Sequence, residues 1–270
     1  MSRISTKFEA MRKDGRKGFI PFITAGDPDL HASAMILSKL AEMGADVIEL
    51  GVPFSDPMAD GPTIQRSSQR ALEGGTTLAD VLGLAKRFRS VSDVPVVLFS
   101  YFNPIMRCGI EAFVTAAEDS GVDGVLLTDV VEDEAQAISD RFAENGVDLI
   151  SLIAPTTTEK RLETICKNAR GFIYAVSRAG VTGTQSETSS AAEILVKRAR
   201  KFTGLPIAVG FGISTAEQIA EVWQYADAAV VGSAIVAEIE RSAGSGDPAK
   251  TVEDFITNLL PSFAKDVSKI

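Results

Sequence analysis

Eight short apolar runs alternate with stretches of helical periodicity, most of them starting roughly 20 to 30 residues apart, and together they predict a (β/α)8 barrel. The length of 270 residues suits a fold that takes about 250 residues. No linker or composition shift divides the chain, so residues 1–270 read as one domain. An open doubly wound sheet is the alternative, and the count of eight runs disfavours it.

Taken in order, Ile4, Phe8 and Met11 fall at helical spacing and predict an extra helix ahead of the barrel. Residues 18–24 read as the first strand. After the turn Gly26-Asp27-Pro28, Leu30, Ala34, Leu37, Leu40 and Ala41 mark a helix that Gly44 stops. Residues 46–51 form the second strand and 95–99 the third, followed by a helix with Ile110, Phe113, Val114 and Ala117 on its buried face. The fourth, 123–127, precedes a helix with Glu132, Asp133 and Glu134 in its first turn and a row of Ala135, Ile138 and Phe142. The fifth is 148–152, the sixth 171–176 and the seventh 206–209. Gly210-Phe211-Gly212 and a capping box over 214–217 follow the seventh. The eighth is 227–231, and the loose stretch 242–250 leads into a final helix.

Two intervals are long: a Pro-rich loop plus an extra helix after the second strand, and 177–190, rich in Gly, Ser and Thr, after the sixth. Both leave the carboxyl ends of strands, the active face of such barrels. The second of them is a candidate lid.

Net charge is −9, from 27 Lys+Arg against 36 Asp+Glu. With a sequence pI of about 4.8, this argues against nucleic acid or an anionic membrane as main partner. Cys108 and Cys166 form no close pair, and the single histidine, His31, has no His or Cys neighbour at ligand spacing, so no metal site is expected. Residues 1–16 lack an apolar signal-like core, and no run of 18 apolar residues follows. A reducing cytoplasm is the expected compartment.

The second strand carries the chemistry. Glu49 shares a face with Val47 and Gly51 while Ile48 and Leu50 face the other way, which directs one carboxylate where water is scarce. Burial raises a carboxyl pKa toward the range of a general acid or base. The alternative is a strand-end ion pair with a Lys or Arg. Asp60 follows on a loop restrained by Pro53, Pro57 and Pro62. It reads either as a turn former before Gly61 or, beside Glu49, as a second catalytic group. Asp56 reads as exposed for a partner. At the other end of the chain, Gly210-Phe211-Gly212 and Gly232-Ser233 follow the seventh and eighth strands, where free backbone N–H groups and a helix dipole commonly hold phosphate. Gly183 is a candidate third element.

These segments are similar to the tryptophan synthase alpha chain family: the LGVPFSDPMADGPTIQ run ending at Gln65, the 22–28 opening, the SRAGVTG run at 177–183, and GFGIS at 210–214 with GSAIV at 232–236. They span almost the whole chain in order. The resemblance implies retro-aldol cleavage of indole-3-glycerol phosphate to indole and glyceraldehyde 3-phosphate in tryptophan biosynthesis. By it Glu49 is the general acid/base, and Asp60 accepts the indole N–H. Phe22, Ile64, Phe99, Tyr174 and Phe211 line the indole slot, although ordinary barrel core fits Phe99 equally well. Gly183, Gly212, Gly232 and Ser233 take the phosphate, and Thr182 positions Asp60 from the lid. The chain needs no cofactor of its own. It works with a beta chain that carries pyridoxal phosphate, in an alpha2beta2 complex, through a contact that includes Pro53, Asp56, Pro57, Asn103 and Asp129. Thr128 and Val131 depart from the family pattern, on the side expected to face the beta chain.

Two other readings remain open at this stage. Another phosphate-binding barrel enzyme of tryptophan biosynthesis calls for a lysine or cysteine near a strand end, and none of the eight strands contains a lysine. A non-catalytic barrel subunit would bind the phosphate ligand without turning it over.

Overall fold

The computed structural model describes residues 2–130, 132–176, 185–210, 212–244 and 246–260. Its elements run α1 (Arg3–Lys13), β1 (Gly18–Thr24), α2 (Leu30–Glu42), β2 (Ile48–Gly51), α3 (Pro62–Glu73), α4 (Leu78–Arg89), β3 (Val96–Ser100), α5 (Phe102–Cys108) and α6 (Ile110–Asp119). They continue with β4 (Gly124–Leu127), α7 (Glu132–Glu144), β5 (Asp148–Ile153), α8 (Glu159–Asn168), β6 (Ile173–Val176), α9 (Gln185–Ala199), β7 (Ile207–Gly210), α10 (Ala216–Tyr225), β8 (Ala228–Val231), α11 (Ser233–Ser242) and α12 (Pro248–Leu259). The strands pair in parallel from β1 through β8, and β8 returns to β1, so the sheet closes into the expected barrel.

Alternation along the strands divides the apolar residues between two regions. Ile20, Val47, Val97, Leu126, Ile150, Ala208 and Val230 point inward and fill the barrel. Ile23, Ile48, Leu50, Leu98 and Val209 point outward against the helices. The predicted first helix has a defined use. Ser2 caps α1 by accepting from the Ser5 N–H, and Ile4, Phe8 and Met11 lie on its one buried face. That face plugs the amino-terminal mouth, with Phe8 5.6 Å from Phe172, ring centre to ring centre.

Three aspartates stand one or two residues ahead of even-numbered strands, and each grips the preceding strand in the same way. The Asp46 N–H donates to the Phe19 carbonyl, and the Phe19 N–H donates back to Asp46 Oδ2 at 3.0 Å. Asp123 does the same with Val96, at 2.8 Å, and Asp227 with Ile207, at 2.8 Å. Arginines complete the coordination. Arg16 grips Asp46 with both Nη atoms (2.9 and 2.6 Å), Arg89 and Arg3 meet Asp123 (2.6 and 2.8 Å), and Arg200 pairs with Asp227.

The strands therefore begin later than their sequence suggests. β2 starts at Ile48 rather than 46, β4 at Gly124, β8 at Ala228, and β3 and β7 begin after Pro95 and Pro206, which have no N–H to offer a ladder. β6 likewise starts at Ile173, two residues after Gly171, whose φ of +63° lies outside strand geometry. The capping box at α10 lies one residue later than expected, with Thr215 accepting from the Gln218 N–H and Gln218 reaching back to Thr215. α9 begins at Gln185, inside the stretch read as a loop, because Ala192, Leu195, Val196 and Ala199 supply a buried helical face. Among the described residues no helix is long and apolar enough to cross a membrane.

Candidate active site

β2 sets the first catalytic candidate. Register places Glu49 between Phe22 of β1 and Val97 of β3, with its side chain inside the barrel near the carboxyl end. It is 1% exposed, and Oε1 has no hydrogen-bond partner among the described residues. Among the described residues no Lys or Arg pairs with it, which disfavours the ion-pair alternative. Removal from water is the cause that pushes its pKa up to about 8.

The Pro-restrained loop then brings Asp60 over the same opening. Asp60 is half-buried, and loss of solvent pushes its pKa up to about 6, against a hydrogen bond that lowers it. The donor of that bond is the Tyr101 hydroxyl, 3.2 Å from Oδ2. The hydroxyl accepts in turn from the Ala59 N–H at 2.8 Å, and the Tyr101 ring packs on Phe54 with 5.0 Å between centres. Burial, with the Asp60 charge beside it, raises the Tyr101 pKa far above its ordinary value, so the phenol stays a donor. Tyr101 carries no motif in the sequence that marks it. Only its position directly after β3, on the active face, points to it.

Both carboxyls border one cavity of about 250 Å³. Phe22, Ile64, Phe99 and Tyr174 form its apolar wall, and Gly212, Gly232 and Ser233 its far end. Gly61, Pro62, Thr63 and Val230 also line it, unanticipated from the sequence. Phe22 meets Phe99 edge-on, with 5.4 Å between centres and an 80° tilt. Phe99 thus belongs to the cavity wall, and its exposure is intermediate rather than that of core. Two glycines make room for these rings. A Cβ at Gly51 would lie 2.6 Å from Phe22 Cζ, and one at Gly210 would collide with the Tyr174 hydroxyl. Tyr174 is buried near Glu49, and burial, reinforced by that carboxyl, raises its pKa well above the ordinary tyrosine value.

At the far end Gly232 is the N-cap of α11 and makes no side-chain cap, which leaves the first-turn N–H groups of Ser233 onward directed at the cavity. Gly212 takes φ +77°, a conformation glycine adopts without strain. Phe211, Thr182 and Gly183, assigned to the slot, lid and phosphate end, lie outside the described residues, as does Val131. Of the expected partner-facing residues, Asp56, Asn103 and Asp129 are exposed and Pro57 is partly so. Pro53 differs: two residues past the end of β2, it is buried. Asp129 Oδ1 accepts the Phe102 N–H at 2.8 Å and so fixes the start of α5, an element not foreseen in the sequence.

Two carboxyls bordering an apolar slot, with an uncapped helix amino end on the same cavity, are the layout of the phosphate-handling (β/α)8 enzymes. The model of the tryptophan synthase alpha chain family matches residues 8–264. The tryptophan synthase alpha chain of Geobacter sulfurreducens is 47% identical over 259 residues, covering 96% of this chain and 98% of that one. Among solved structures, the alpha subunit from Legionella pneumophila superposes with a TM-score of 0.89 at 34% identity, covering all of both chains. A second, described as the mutually activating a2b2 tryptophan synthase complex of Pyrococcus furiosus, gives 0.84 at 39% identity over 90% of this chain and 97% of that one. The chain belongs to the tryptophan synthase alpha chain family. Its reaction is the lyase step of tryptophan biosynthesis, cleavage of indole-3-glycerol phosphate to indole and glyceraldehyde 3-phosphate. Alpha chains of this family bind no cofactor themselves, and the pyridoxal phosphate of the enzyme belongs to the beta chain.

Proposed function

We propose that Glu49 and Asp60 are the catalytic pair of this lyase, Glu49 as general acid/base and Asp60 as acceptor of the indole N–H. One observation carries the reading: a buried carboxyl whose Oε1 has no partner among the described residues opens on the same cavity as a second carboxyl. A pKa of about 8 leaves Glu49 protonated at neutral pH, as an acid for indole C3 must be. Protonation of C3 places positive charge on the ring nitrogen, and the ionised Asp60 stabilises that charge through the N–H. Glu49, now a carboxylate, removes the proton of the glycerol hydroxyl. The C–C bond then breaks, its electrons restore the indole ring, and the hydroxyl carbon becomes the aldehyde. Glu49 ends as it began.

Phe22, Ile64, Phe99 and Tyr174, with Phe211, hold the indole ring, and Gly212, Gly232 and Ser233, with Gly183, hold the phosphate. Thr182 positions Asp60 on closure. Asp56, Pro57, Asn103 and Asp129 form part of the contact with a beta chain in an alpha2beta2 complex, with the buried Pro53 behind them in the chain. We assign the chain to the cytoplasm and read residues 1–270 as one domain.

The test is indole release from indole-3-glycerol phosphate by the wild type, Glu49→Gln and Asp60→Asn, each alone and with a beta chain. Wild-type turnover should fall by at least about a hundredfold in Glu49→Gln. A wild type that binds the substrate yet stays inert beside a competent beta chain would instead be a binding subunit.

A further inference from the structure

Two helices leave the cavity with their amino ends toward it and pack against each other. α3 begins at Pro62 and carries Ile64 in the slot wall, and α11 begins at Ser233 at the phosphate end. Farther out, ion pairs tie them together. Arg66 Nε and Nη2 reach Glu240 Oε1 and Oε2 of α11, both at 2.7 Å. Arg70, one turn on, gives Nη1 to Glu240 Oε1 at 2.8 Å and lays Nε and Nη2 on Asp27 Oδ1 and Oδ2, both at 2.8 Å. Asp27 is 1% exposed and follows β1, the strand that carries Phe22. A neutral link runs beside this chain. Thr24 Oγ1 and Ser67 Oγ are 2.6 Å apart, and Ser67 Oγ donates to the Ile64 carbonyl at 2.8 Å.

A lone surface ion pair would count for little. Here the pairs are two-pronged, share Glu240, and are anchored at a buried carboxylate, so neither helix slides along the other without breaking several charged hydrogen bonds at once. Glu240 lies seven residues beyond Ser233, about 10 Å along the helix, and touches nothing in the cavity.

We propose that the chain Asp27–Arg70–Glu240–Arg66 is a positioning strut that fixes the distance between the indole end of the site, on α3, and the phosphate end, on α11. Only a ligand that spans both ends feels this spacing. The substrate does, because its phosphate must dock on α11 while its indole ring lies against Ile64 and Asp60 at the start of α3, and a small misfit between the two forfeits the advantage of a preset geometry. The inference rests on the reading of Asp60 and Ser233 as those two ends.

Arg70→Met strands the buried Asp27 carboxylate and weakens the fold directly, so the informative variants are Glu240→Gln and Arg66→Gln, at partly exposed positions. With a beta chain present, Glu240→Gln should lower kcat/KM for indole-3-glycerol phosphate about tenfold, and Arg66→Gln less. On the full chain alone, the Kd values of inorganic phosphate and of indole, each occupying one end, should stay within about twofold of wild type. Wild-type kcat/KM in a folded Glu240→Gln overturns the proposal. So does a parallel weakening of phosphate and indole binding, which would mean general loosening rather than lost spacing. Full activity in Asp60→Asn would overturn the underlying site assignment instead, whatever Glu240→Gln does.

Discussion

Asp46, two residues ahead of β2, and Glu49, within it, stand three residues apart, each 1% exposed. Asp46, at the amino-terminal mouth, accepts from a backbone N–H and two guanidinium nitrogens. Glu49, near the carboxyl-terminal mouth, has an oxygen with no partner among the described residues. The same type of group is a fastener at one end and, in the proposed mechanism, the proton carrier at the other, and the difference is its set of neighbours rather than its burial. One end of the barrel is built to be satisfied, and the other keeps a carboxyl in a costly state that catalysis can use.

The sharpest way to break this comparison is Glu49→Gln. Its folded pKa of about 8 lies above the ordinary 4.5, so below 4.5 the carboxyl is neutral in both states and imposes no penalty. As pH rises from 4.5 toward 8, the unfolded chain ionises while the folded one keeps its proton, and stability is lost across that window. The variant should therefore be nearly inactive yet more stable than wild type, by an amount growing to the order of a few kcal/mol between pH 5 and pH 8 in urea unfolding. A constant gap would mean that Glu49 is not held neutral.

Asp123→Ala makes the opposite test. It leaves Arg89 and the Val96 N–H without their acceptor, and should destabilise the fold by about 3–5 kcal/mol. Because the site lies at the far mouth, kcat of the folded fraction should stay within about twofold. A loss of kcat with unchanged unfolding would abolish the division between the two ends.

The smallest effect expected is that of Tyr101→Phe, which keeps the ring on Phe54 but removes the donor to Asp60. The acid limb of kcat/KM, set by Asp60 at about 6, should move to higher pH, with a loss of about threefold at pH 6 and little change at pH 7.5. An unmoved limb would assign that titration to another group.

Much of this division is legible in the sequence. All eight strands and the plugging helix follow from apolar periodicity, and the inward direction of Glu49 follows from strand alternation alone. The amino-terminal rim is harder to read. Asp46, Asp123 and Asp227 resemble strand residues by position, but their side chains, bonded to a neighbouring strand, mark the strand's edge. Tyr101 and the Asp27–Arg70–Glu240 chain are less visible still. Their partners lie 41, 43 and 170 residues away, and no local pattern announces a contact made only when the ring has closed.

The aspartate clasps also bear on the order in which the molecule assembles. Each joins consecutive strands across only 20 to 27 residues, β1 to β2, β3 to β4 and β7 to β8, whereas the seam between β8 and β1 joins residues at opposite ends of the chain. Loops that short lose little entropy on closing and close early. The chain is thus equipped to form latched strand–helix–strand pairs as it emerges from synthesis. Ring closure is left as the late, slow event, and the catalytic pocket, which needs β1, β2 and β8 together, exists only after it.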